Sequence, residues 1–137
     1  MFGELEGEGK VVVADLEAGF GTILRMREGQ ADMAFIIAQP SAKSLEVARR
    51  ALAVTAARNI PAVLLANRVA GDDDLALITD VLKPTVPVVV VPDDRAVAEA
   101  DEQGVAPIDV APDSPAVQVI VGLVKRFVTE PALSGPR

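Results

Sequence analysis

The chain has no cysteine and no histidine among its 137 residues. Without cysteine, disulfides, thiolate metal sites and a thiol nucleophile are excluded. Without histidine, the Ser–His and Cys–His nucleophilic pairs and the commonest zinc ligand are gone. Aromatic residues make up only 3% of the sequence, so Ala, Val, Leu and Ile must fill the core. Such small and branched side chains suit a Val/Ile-rich sheet covered by Ala-rich helices. A basic surplus is lacking as well: the net charge is −7. That argues against nucleic acid as a direct partner, because phosphate binding needs a basic face. No apolar run approaches the ~20 residues that span a bilayer. The segment Met1 to Glu6 is acidic and has no apolar stretch of the kind found in secretory signals. The expected location is therefore the cytoplasm. Chemistry is left to Asp, Glu, Lys, Arg, Ser, Thr, Asn and backbone groups.

What is present is an alternation of short apolar runs and helical patterns. A length of 137 residues suggests one domain, read as residues 1–128 with a frayed tail at 129–137. Lys10–Asp15 reads as a buried parallel strand, broken by Gly19 and Gly21. Ala34–Ala38 reads as a second strand, stopped by Pro40. Ser41 or Ser44 caps the helix that follows, whose Leu45, Ala48, Leu52 and Ala56 share one face. Ala62–Ala66 and Val86–Val91 read as further strands. Asp72, Asp73 and Asp74 favour the start of an intervening helix. A shorter helix is expected from Asp94 to Gln103, stopped by Gly104. Ser114-Pro115 opens a last helix through Phe127. The alternation predicts an α/β fold: a mostly parallel, doubly wound sheet with helices on both faces.

In such sheets ligands sit at the carboxyl ends of the strands, and those ends carry Asp15, Gln39, Asn67 and Asp93. A carboxylate at Asp15 suits Mg²⁺ beside nucleotide phosphates, and Gly19 lets backbone approach the terminal phosphate. The same two residues also suit a loop cap and a turn. The Asn67 amide offers a donor and an acceptor that match a purine edge, or serves an ordinary turn. Pro92 gives a rigid strand exit whose backbone could face a base, while Asp94 suits a helix cap.

Four segments in order carry a resemblance. Asp15-Leu16-Glu17-Ala18-Gly19 is similar to the switch II sequence of the carbon-monoxide-dehydrogenase-maturation branch of MinD/ParA-like ATPases. Ala38 to Glu46 resembles that branch's segment after the next strand. Asn67-Arg68 corresponds to the family's base-contacting Asn-Lys pair. Pro92-Asp93-Asp94 through Gly104, then Pro112 to Ala116, looks like the family's C-terminal stretch near the adenine. The resemblance implies ATP with Mg²⁺, Asp15 as the metal-linked residue, Asp15, Glu17 and Gly19 as the catalytic switch, and Asn67, Arg68, Pro92, Asp93 and Asp94 around the base. It also implies a homodimer, or a partner chain completing the sheet.

The family's phosphate loop is missing. Gly7-Glu8-Gly9-Lys10 precedes a strand pattern rather than a helix, so its amides cannot converge on an anion. The expectation is the later portion of an ATPase, inactive unless a phosphate loop comes from elsewhere; the alternative is a pseudo-ATPase interaction module. The Cys-based metal site behind the maturation branch's nickel-linked role cannot form in this chain, which has no cysteine. Loss of the loop-bearing strand should also leave a seam between the Lys10–Asp15 and Ala34–Ala38 strands, closed by direct pairing or filled by another chain.

Overall fold

The computed structural model describes residues 9–16, 29 and 31–129. Their order is β1 (Ala34–Ala38), α1 (Ala42–Ala57), β2 (Ala62–Val69), α2 (Asp72–Leu82), β3 (Val88–Pro92), α3 (Arg95–Gln103), α4 (Pro107–Val110) and α5 (Pro115–Val124). A π-helical turn, Lys125–Thr129, continues α5. The fold is α/β, with a three-stranded parallel sheet in the order β1-β2-β3.

The central strand explains the layering. Ala62 to Ala66 are all buried, as expected of a parallel strand covered on both faces. Alternation divides them. Leu64 and Ala66 join Leu45, Ala48 and Ala51 of α1 and Ile78 of α2 on one face. Val63 and Leu65 join Leu123 of α5 and Phe127 on the other. Leu64 and Ile78 are fully buried, and each such side chain contributes roughly 1.5–3 kcal/mol of transfer free energy. Small residues at Ala38, Ala48, Ala51 and Ala66 let α1 lie close on the sheet.

Local chemistry sets the helix ends. Ser41 caps α1 by accepting the Ser44 N–H at 3.3 Å. The Ser44 hydroxyl accepts the Gln39 N–H at 2.8 Å, so both serines bind the strand exit to the helix. Three carboxylates, Asp72–Asp74, occupy the first turn of α2, where the helix dipole favours them. Gly104 ends α3 in the left-handed region, φ +68°.

Two sequence expectations are corrected. Lys10–Leu16 forms no strand, and Val11, Val12 and Val13 are 63%, 50% and 86% exposed. Valine favours strands because it packs on a pleated surface beside a partner, and among the described residues this run has no ladder to join. The direct pairing of that run with β1 does not occur: among the described residues β1 is the outermost strand of the sheet. The strand read at Val86–Val91 runs instead from Val88 to Pro92. Pro87 lacks an N–H and enters the ladder only as an acceptor, from the Leu64 N–H at 2.9 Å.

Candidate functional site

The carboxyl ends of the three strands converge on one polar hollow. Pairing between β2 and β3 is regular from Leu64↔Val88 to Ala66↔Val90, then resumes at Val69↔Pro92. The steps leave one extra residue on β2, a bulge that falls at Asn67-Arg68. Arg68 takes up the distortion in the left-handed region, φ +56°, a conformation costly for a residue with a long side chain. Bulges re-aim side chains at the rims of sheets. Here the result is an Arg68 guanidinium turned toward Asp93, with Nε to Oδ1 at 3.6 Å. Both groups are more than half exposed, so the pair orients them and adds under about 1 kcal/mol of stability.

Gln39, Pro40 and Ser41 border one side of the hollow, Ala70 and Asp74 another, and Arg68 and Asp93 a third, around an open volume of about 220 Å³. Pocket walls are fixed by backbone bonds. The Ala70 N–H donates to Asp74 Oδ2 at 2.9 Å, holding the turn between β2 and α2. The Asp93 N–H donates to the Val69 carbonyl at 3.0 Å, pinning the exit of β3 beside the bulge. The volume falls below the roughly 300–1,000 Å³ of drug-sized pockets; it suits a single ring system or small polar group.

Asp94, one residue past the hollow, has a different task. Its Oδ1 accepts the Ala96 N–H at 2.9 Å, capping α3. Its Oδ2 accepts the Ala116 N–H at 3.0 Å, reaching the first turn of α5 across 22 residues. The Ala116 amide is the main reason its carboxyl is held below the ordinary value; burial opposes this and the Ala96 amide assists. The Ser114 hydroxyl is close enough to add to the effect, but its buried Oγ makes no good hydrogen bond to a described residue, so we assign the effect to the amides.

The sequence-derived residues thus separate. Arg68 and Asp93 meet across the hollow. Asn67 is half-buried on the bulge, and Pro92 is the last residue of β3; neither lines the hollow, though each precedes a residue that does. Asp94 is committed to two amides. Asp15 stands in the exposed, non-strand segment. Glu17 and Gly19 lie outside the described residues. Asp74 and Ser41 join the lining, although the sequence marks them only as helix starts. The spacing Ala70-Gly71-x-x-Asp74, an acid three residues after a side-chain-free cap, was the available signal.

The lining would treat the two halves of a nucleotide differently. A base would find Pro40 and the polar edges of Gln39, Arg68 and Asp93. A triphosphate would face Asp74 and Asp93, with Arg68 the only cation lining the hollow. Like charges about 4 Å apart repel by ~1 kcal/mol in water and ~4 kcal/mol at a protein surface. Among the described residues, no three His, Cys, Asp or Glu side chains gather to hold a metal ion. Mg²⁺ at Asp15 would therefore depend on water and phosphate oxygens for its other ligands.

A second cavity of about 270 Å³ opens at the opposite end of the sheet, between Leu52, Thr55 and Ile60 on one side and Leu82, Lys83 and Val86 on the other. The larger volume does not favour it as the site. The C-terminal ends of α1 and α2 direct carbonyls there, and parallel sheets place ligands at the carboxyl end. Neither a scan of protein-family models nor a search of curated proteins finds a match to the chain.

Proposed function

We infer that the chain is the base-recognition half of a nucleotide site on a MinD/ParA-like, doubly wound sheet, with the phosphate-binding half contributed from elsewhere. One observation carries this reading: Gln39, Arg68 and Asp93 come from three successive strand exits and meet around one hollow. The bulge at Asn67-Arg68 favours it further, because the strain in Arg68 is spent at that hollow. Asn67 and Pro92 stand one residue behind Arg68 and Asp93 and shape the two strand exits, and Gln39 offers the amide that lines the hollow. Asp15, with Glu17 and Gly19, belongs to the phosphate half, with ATP and Mg²⁺ as the complete ligand. Alone, the chain holds the base and does not hydrolyse ATP.

The test is a pair of NMR titrations on the isolated chain. Adenosine should shift the amides of Gln39, Asn67, Arg68, Ala70 and Asp93, with affinity on the order of millimolar, since so small a contact leaves little surplus over the cost of association. Mg-ATP should bind no more tightly. Micromolar Mg-ATP binding, or adenosine shifts confined to the cavity lined by Leu52, Ile60 and Leu82, would overturn the reading.

A further inference from the structure

Among the described residues nothing covers the outer edge of β1. Ala34–Ala38 carries no charge and no proline, and among the described residues nothing pairs with its outer side. Open edges of this kind present unpaired N–H and C=O groups to any other strand, so proteins normally blunt them with Lys, Pro, bulges or a covering element. One face of the strand is only partly covered: Phe127 meets Phe35 edge-on. Phe35 and Ile37 are 36% and 55% exposed, although their register neighbours Val63 and Leu65 are buried with Leu123.

The chain also displays the other half of a strand pair. Lys10-Val11-Val12-Val13-Ala14-Asp15 contains three consecutive β-branched residues, all at least half exposed. At six residues it is long enough to run the full five-residue length of β1. Charge sets the direction in which the two would join. With Val12 beside Phe35 and both strands parallel, Lys10 falls at Met33, next to Asp32, and Asp15 falls at Ala38. The antiparallel alternative brings Asp15 toward Asp32, a like-charge contact of the kind that destabilises sheets. In the parallel register Val12 and Ala14 also lie beside Phe35 and Ile37, on the partly exposed face.

We propose that two copies of the chain exchange these segments: Lys10–Asp15 of each adds to β1 of the other as a fourth parallel strand, giving a closed two-fold dimer. Within one copy the valine run is exposed and pairs with no strand among the described residues; in the pair, both runs and both edges are covered. The exchange also delivers a carboxylate to each hollow. Asp15 of one copy reaches the carboxyl end of the other's sheet, beside Gln39, so each site draws on both copies. The inference concerns the edge and stands whatever the hollow binds.

The absence of cysteine makes the pairing directly readable. Ala14→Cys and Ile37→Cys substitute exposed residues that face each other in the proposed register. Mixed in equal amounts and oxidised, the two proteins should form the mixed disulfide faster than either homodisulfide. In light scattering at high micromolar concentration, the unsubstituted chain should have twice its 14.3 kDa mass. Val12→Asp should return it to one copy with its circular dichroism spectrum unchanged. A single-copy mass for the unsubstituted chain, or no effect of Val12→Asp, would overturn the exchange. So would an Ile37→Cys homodisulfide that outpaces the mixed one, or an intramolecular disulfide in a monomeric chain carrying both substitutions.

Discussion

Lys83 ends α2 with a backbone that a side chain resists. Its φ is +43° and its ψ +57°, the left-handed region, and its N–H closes the helix on the Thr79 carbonyl at 2.8 Å. Helices commonly place glycine there, because a Cβ meets the following carbonyl oxygen at a cost of roughly 1–2 kcal/mol. Pro84 narrows the choices of its preceding residue still further. Lys83→Gly removes the clash and keeps the N–H bond, against about 0.5–1 kcal/mol of added chain entropy in the unfolded state. The balance is a gain of about 0.5–1 kcal/mol, or a thermal midpoint about 2–5 °C higher for a domain of this size. Two controls isolate the cause. Lys83→Ala removes the charge but keeps the Cβ, and should change stability by less than about 0.5 kcal/mol. Asn59→Gly acts at a similar φ of +53°, but Asn tolerates that region, so only a few tenths of a kcal/mol are expected. Calorimetry on the three variants decides the matter. If Lys83→Ala gains as much as Lys83→Gly, charge and not backbone geometry is responsible, and the reasoning fails.

Three further outcomes follow from the packing and the charges. Leu64→Ala empties a fully buried position in the central strand and should cost about 2–5 kcal/mol in urea unfolding; a loss under about 1 kcal/mol would mean the two-faced core is misassigned. Asp94→Ala should lower the thermal midpoint by several degrees and speed amide exchange in the first turns of both α3 and α5, whereas an effect limited to α3 would reduce Asp94 to an ordinary cap. Glu46, hydrogen-bonded to Arg49 and Arg50, should titrate at about 2 rather than 4.5. Because the folded value is depressed, its contribution is complete above pH 4.5 and is lost as pH falls toward 2. The pair is solvent-exposed, so salt should shrink the effect, and a Glu46 titration near 4.5 at low salt would refute the geometry.

Most of the frame could be read from residue patterns, for reasons that also explain the errors. Pro40, Pro61 and Pro92 bracket apolar runs, and those runs are β1, β2 and β3. Ser41 and Gly104 mark helix ends because their chemistry acts within one turn. Val11–Val13 shows the same local signature as β3, yet it forms no strand, because a strand is completed by a neighbour that composition does not encode. Pro107–Val110 is too short for a helical period to register. The hollow was legible only in part. Asn67-Arg68 and Asp93 stood out as strand ends, but the bulge that turns Arg68 toward Asp93 depends on pairing between β2 and β3. Asp94 resembled any helix cap, since its second bond spans 22 residues.

That second bond makes Asp94 a mechanical coupling. The residue adjoins Asp93 at the hollow, and its carboxylate grips the base of α5, the helix whose far end carries Phe127 edge-on to Phe35, 6.3 Å between ring centres. Displacing the β3 exit would load the first turn of α5, whose continuation meets β1 at Phe35. The hollow and the β1 strand are thus joined by one short run of contacts through α5 and the π-helical turn that continues it.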